Sequence, residues 1–299
     1  RPRAFGGNLY LTPERAEEMA AAEAQRTANR AQASDPERGA PPEGGDGSAG
    51  AAGNVGGYDN FWIDRGTSAL DVSGEFRTSI IVEPKNGRMP AMTEQARERE
   101  AERAKLRRSN DGTAWWLEID GPGPYDHIEQ RGNAERCLLG FTGVAPTFPS
   151  LYNNFKRIVQ SEDHVVILLE MVHDARIVRM NREHLPPGTV RWLGDSIGWW
   201  EGDTLVVDTT NFHPSSLRRG FAETQHVVER FSALPNGDVL YRFTVENEAV
   251  WTEPWTGEYV WRATDDSLYE YACHEGNYAL GNIMRGARLL EREALAGGD

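Results

Sequence analysis

Apolar and polar positions alternate in short runs through the second half of the chain. This period of two predicts strands over 79–83, 164–171, 175–180, 204–211, 225–233, 239–246, 256–262 and 268–273. No helical period separates one run from the next, so consecutive strands must pair mostly antiparallel. The fold class that follows is mainly β, an antiparallel meander forming a barrel or a sandwich. Three stretches carry helix signals instead. Residues 12–30 open on Thr12 as N-cap and Pro13 at the first helical position, with Glu14 and Glu17 in the early turns and an Ala-rich body behind them. The run TEQAREREAERAKLRR at 93–108 predicts a solvated helix capped by Thr93. Residues 278–294 predict a terminal helix, so the helices are peripheral to the β domain.

Two turn signals set hairpin registers. Asn236-Gly237, between Pro235 and Asp238, suits a two-residue type I′ turn, which makes facing positions sum to 473. Arg230 then faces Phe243, Val228 faces Val245 and Ser232 faces Tyr241, while Glu229, Arg242, Thr244 and Glu246 share the opposite, polar face. The turn at Glu201-Gly202-Asp203-Thr204 puts Trp200 against Leu205 and Trp199 against Val206. Both faces of that hairpin then carry large apolar groups, which predicts a place deep in the fold.

Between the first helix and the β runs, residues 31–57 are Gly, Ala, Pro, Ser and Asp with almost no large apolar side chain, so burial cannot offset their ordering entropy. The chain therefore divides into an N-terminal helix and flexible segment (1–57) and a β-rich domain (58–299) with an inserted charged helix near 93–108. Over 299 residues, 32 Lys+Arg against 46 Asp+Glu give a net charge of −14. That balance excludes the basic face needed to displace counterions from nucleic acid or an anionic membrane. No run approaches the ~20 apolar residues of a membrane-spanning helix, so no membrane insertion is expected. The chain starts at Arg1 with neither an initiator Met nor an apolar leader, which suits a mature secreted protein. Its two cysteines, Cys137 and Cys273, then predict one bridge in an oxidising compartment, the alternative being two buried thiols.

Four segments, DHVVILLEMVHDARIV (163–178), GDSIGWWEGDTLVVDTTNF (194–212), HVVERF (226–231) and YEYACHEGNY (269–278), are worded and ordered so that the chain from about Tyr58 to Arg288 resembles an uncharacterised family of secreted bacterial β-rich proteins. The resemblance implies a periplasmic or extracellular β-rich domain. It implies no activity and no catalytic residue.

The ionisable residues in these segments are read on their own chemistry. His226 and Glu229 lie three apart and diverge on a regular strand, whereas His274 and Glu275 sit where a strand gives way to the Gly276-Asn277 turn. His173, His226, His274 and Glu275 lack ligand spacing of the HExxH kind, so no metal and no cofactor is expected. No G-x-S-x-G turn marks a nucleophile, and the Gly-rich stretch at 44–57 does not fit a phosphate loop. Glu170, Glu229 and Glu275 come from three strands or strand ends and could pair as acid and base, or each could neutralise an Arg such as Arg176, Arg230 or Arg242. Nine Trp, among them Trp199, Trp251 and Trp255, can line a pocket for a flat ligand or a sugar ring.

Together these residues predict a module binding a small organic molecule or glycan fragment, at a site formed by Glu170, Arg176, His226, Glu229, His274 and Glu275 and bordered by Trp199, Trp251 or Trp255. The alternatives are an acid/base hydrolase, lyase or isomerase using the same pocket, and a structural or surface-assembly protein; a homo-oligomer is compatible with each. Replacing Glu229 or His274 by Ala is expected to weaken ligand retention and leave the fold intact.

Overall fold

The computed structural model describes residues 7–30, 63–64, 66, 69–108, 111–216 and 222–297; the expected flexible stretch 31–57 lies outside the described residues. In chain order the strands are β1 (Leu70–Val72), β2 (Glu75–Arg77), β3 (Ile81–Glu83), β4 (Lys156–Gln160), β5 (His164–Leu169), β6 (Ala175–Met180), β7 (Asp195–Glu201), β8 (Thr204–Thr210), β9 (His226–Ala233), β10 (Val239–Glu246) and β11 (Trp255–Trp261). The helices are α1 (Pro13–Arg30), α2 (Glu94–Lys105) and α3 (Tyr278–Ala296). Thr12 and Thr93 cap the first two as expected, and Asn277 caps the third. Thr12 Oγ1 accepts from Arg15 N at 3.3 Å, Thr93 Oγ1 from Ala96 N at 3.1 Å and Asn277 Oδ1 from Leu280 N at 3.3 Å.

The protein is mainly β. β1 and β2 form a small hairpin, and the other nine strands form one sheet in the order β3-β11-β10-β9-β8-β7-β6-β5-β4. Two antiparallel leaves, β4–β6 and β7–β11, meet where β6 pairs parallel with β7 (Val178 opposite Ser196, Met180 opposite Gly198). The meander is therefore interrupted once. A parallel neighbour needs a crossover, and residues 181–194 supply it without a helix.

The sheet is not closed by backbone hydrogen bonds, since β3 and β4 remain its edges. It is nevertheless strongly rolled. Arg176 on β6 bonds Glu229 on β9 although β7 and β8 lie between them, a span that side chains standing upright on a flat sheet could not bridge. Lys156 on edge strand β4 likewise reaches the ring of Trp261 on β11, at 4.9 Å. The two leaves thus face each other across a shared core, sandwich-like, with Val165, Ile167, Val178, Val207, Val227 and Phe243 at its centre. Gly257 is required there, because a Cβ in its place would run into the Phe243 ring.

The 204-turn register is as expected, with Trp200 opposite Leu205 and Trp199 opposite Val206. Val206 is fully buried on the outer face, but Trp200 is 47% exposed at the strand end, so that hairpin is not deep along its whole length.

The 236-turn register is one residue off. Arg230 faces Arg242 and Tyr241 faces Phe231, because Leu234 N bonds Asp238 O and Gly237, at φ +88°, closes a three-residue loop in place of the expected two-residue turn. A slip of one residue exchanges the faces, so Glu229 points into the core and Arg230 outward.

The expected strand at 268–273 is absent, since residues 262–272 take no regular structure. After Trp261 the chain leaves the sheet and is held by the Cys137–Cys273 disulfide, whose Cα atoms are 5.8 Å apart. Beyond it, α3 packs through Ala287 on Trp115 and Trp116, and Trp116 Nε1 donates to Glu291 at 2.7 Å.

Candidate functional site

Three polar constellations stand out, one inside the roll, one at its seam and one on its outer face. Inside, Arg176 Nη1 and Nη2 donate to Glu229 Oε2 and Oε1 at 2.6 and 2.9 Å, with both side chains fully buried. Tyr241 donates to Glu229 Oε1 at 2.5 Å and accepts from Thr147 N at 3.0 Å, while the Tyr259 hydroxyl donates to Thr147 O at 2.9 Å. Burial pulls the Arg176 guanidinium down, but Glu229 beside it more than offsets this and holds it charged. Burial first, and the Glu229 charge second, push the Tyr241 phenol well above its ordinary range, so it remains a donor. Arg176 Nε and Thr147 Oγ1 have no partner in this otherwise satisfied cluster.

The seam lies between β4 and the end of β11. Among the described residues β4 pairs only with β5, and β3 accompanies β11 through Thr256 and Gly257, with Glu258 N donating to Ile80 O just beyond. Lys156 Nζ sits there 4.9 Å over the Trp261 ring and donates to Asn154 O at 2.8 Å, with no carboxylate partner among the described residues. Burial draws its amine down to about 8. Trp261 itself packs at 4.7 Å on Tyr241 and 5.4 Å on Phe231, so the cation rests on an aromatic wall continuous with the core.

On the outer face, a chain of charges links the crossover to five strands, β6 to β10. Arg179 Nη2 bonds Asp195 at 2.9 Å, Asp195 Oδ2 meets His184 Nδ1 at 3.0 Å, and His184 Nε2 meets Asp208 Oδ1 at 3.0 Å. Asp208 also meets His226 Nε2 at 3.0 Å, and His226 Nδ1 meets Glu246 at 2.9 Å. The Asp208 hydrogen bond, with Glu246 assisting and burial opposing, raises His226 to about 9, so it is an imidazolium at neutral pH. Asp208 is held below its ordinary value: burial acts against this, but the hydrogen bonds and charges of His226 and His184 prevail. Every ring nitrogen of both histidines is engaged by a carboxylate. The arrangement suits fastening the crossover to the sheet better than proton transfer to a substrate. Among the described residues no group of three or more His, Cys, Asp or Glu is placed to hold a metal ion.

The nine expected site residues are dispersed. Arg176 and Glu229 meet in the core, and His226 belongs to the outer-face chain. Glu170 is buried after β5, where its Oε2 accepts from Phe155 N at 3.4 Å. His274 and Glu275 are exposed in the turn before α3, next to a shallow depression of about 370 Å³ lined by Glu135, Tyr271, Cys273 and Asn277. Trp251 and Trp255 are buried against each other, Trp255 also against Phe243, so both belong to the core. Trp199 is half-buried on the outer face, its Nε1 donating to Glu201 at 3.0 Å. The six ionisable residues therefore do not converge on one concave site.

Sequence reasoning missed Lys156, His184, Asp195, Asp208 and Glu246. Asp208 was within reach, because the register that pairs Trp199 with Val206 also puts Asp208 on the outer face beside the strand of His226. In the turn between β5 and β6, the Asp174 carboxyl, buried and accepting from Gly140 N at 2.8 Å, is pushed up to about 6 by burial, next to the exposed His173. Val172 and His173 there both take left-handed backbone angles, φ 58° and 46°, which a β-branched residue such as Val172 rarely adopts. Comparison with protein-family models, with curated proteins and with solved structures finds no match to this chain.

Proposed function

We propose that the protein binds a small organic molecule at the seam of its rolled sheet, against Trp261 and beside Lys156. The observation that carries this reading is a half-buried lysine at an edge not sealed by backbone hydrogen bonds, resting on the half-buried Trp261 ring with no carboxylate beside it among the described residues. Mouths and gaps of rolled sheets are where such folds accept small ligands, because the ladder supplies rigid walls and the gap supplies access. The wall differs from the one expected, since Trp261 takes the part assigned to Trp251 and Trp255. The disulfide supports an oxidising compartment, periplasmic or extracellular, and that fits the resemblance to secreted bacterial β-rich proteins. The acid/base reading has less support, because the ring nitrogens of His184 and His226 are all engaged.

The test is isothermal titration with 2-naphthol, a flat neutral probe. Covering about 100–150 Å² of apolar surface at ~25 cal/mol per Å² gives roughly 2.5–4 kcal/mol, a dissociation constant of about 2–15 mM. Trp261→Leu should weaken binding at least about tenfold, and Trp251→Phe, in the core away from the seam, should not. Absence of saturable binding, or equal loss in both variants, would overturn the proposal.

A further inference from the structure

Resting on that reading, we propose that the seam ligand is an organic anion, a flat apolar body bearing a carboxylate that lies on Lys156 Nζ. The partly or wholly buried cations of the nine-stranded sheet are otherwise matched. Arg176 has Glu229, Arg179 has Asp195, Arg230 has Glu201 and Arg242 has Glu258. Lys156 alone among these, within the described residues, is met by a carbonyl and a ring face. An ammonium has three donors. Asn154 O takes one and the Trp261 face covers one side, so at least one N–H stays open to an incoming acceptor.

The cost of holding this half-buried cation partly out of water is already met within the fold. Burial draws the amine down, yet the ammonium still predominates at neutral pH, and it would gain a full charge partner on binding a carboxylate. Selectivity follows from the surroundings. The chain carries a net charge of −14, so its general field repels anions, and an anion is retained only where a local, desolvated cation outweighs that field. Trp261, half-buried beside Nζ and backed by the buried rings of Tyr241 and Phe231, offers its exposed part to a planar body and gives nothing to a small hydrated ion such as acetate. Entry breaks no ladder, because among the described residues none joins β4 to the last residues of β11.

Three probes that share a ring and differ in charge decide the matter: naphthalene-2-carboxylate, 2-naphthamide and 2-naphthylmethylammonium, titrated by calorimetry into the disulfide-bonded protein at pH 7. The carboxylate should bind about ten- to a hundredfold more tightly than the amide, the range of one charge-assisted hydrogen bond, and the ammonium should bind weakest. Lys156→Met should bring the carboxylate down to the affinity of the amide and leave the amide unchanged. Lys156→Arg, which restores the charge, should recover most of the preference and guards against reading a misfolded variant as a lost site. Equal binding of carboxylate and amide, or a preference that survives in Lys156→Met, overturns the anion assignment and leaves seam binding standing. Failure of all three probes overturns both.

Discussion

Removing the Glu229 carboxylate should unfold much of what the roll holds together. The sequence places Glu229 on a polar outer face, from which Glu229→Ala would be mild, but the side chain is fully buried and accepts three hydrogen bonds, two from Arg176 and one from Tyr241. Alanine there leaves a guanidinium with no counter-charge in a water-free core, a loss of about 3–5 kcal/mol. Total stability of a domain is about 5–15 kcal/mol, so the variant should sit near the edge of folding. The expected fall in melting temperature is roughly 6–20 °C, at ~2–4 °C per kcal/mol for a domain of this size. Urea unfolding of the oxidised protein measures it, with Arg176→Met and the double variant Arg176→Met/Glu229→Leu completing the cycle. The double variant, which removes both charges and keeps apolar volume, should recover most of the loss. A Glu229→Ala protein within about 1 kcal/mol of the parent, or a double variant as unstable as the sum of the singles, would refute the argument.

The other expectations are narrower. Denatured, unreduced protein should titrate no free thiol, and Cys273→Ser should lower stability by up to about 5 kcal/mol on the chain-entropy account, given a closed loop of 136 residues; unchanged urea unfolding would count against that role. His226 is raised from 6.5 to about 9, so its contribution is complete below pH 6.5 and lost as pH rises through about 9. The stability advantage of the parent over His226→Gln should accordingly shrink from about 1 kcal/mol, after discounting for an imidazole one-third exposed, towards zero between pH 6.5 and 9. A deficit in the variant that stays constant across that interval would show that the Asp208 and Glu246 contacts carry no net charge energy.

Strand positions were legible because alternation over six to eight residues, as in β6, β9 and β10, is a strong local signal. Hairpin register was legible only where the turn had a single solution. Glu201-Gly202-Asp203-Thr204 gave the right pairing, but Asn236-Gly237 fits both a two-residue turn and the three-residue loop that forms, and the two differ by one residue. That residue decided whether Glu229 was a surface acid or a core one.

The candidate site was less legible for a different reason. Lys156 meets Trp261, and His184 meets Asp208, only because the sheet rolls and the crossover folds back, and neither event leaves a spacing in the chain. Trp251 and Trp255 carried a signal for aromatic lining that the core absorbed, as large rings do when a roll has a wide interior to fill. The pattern YEYAC looked like a strand but pairs with none, and the disulfide anchors that segment instead.

The parallel junction between β6 and β7 also shapes how the chain reaches its native state. Each leaf is built from neighbouring hairpins, so its contacts are local and close quickly. Joining the leaves depends on a short parallel ladder and on long-range pairs such as Arg176–Glu229, 53 residues apart, which form only after loop-closure entropy has been met. Folding should therefore run as two fast hairpin assemblies and one slow docking step. Substitutions at Arg176 or Glu229 belong to that last step, so they should speed opening of the docked leaves far more than they slow formation of either leaf.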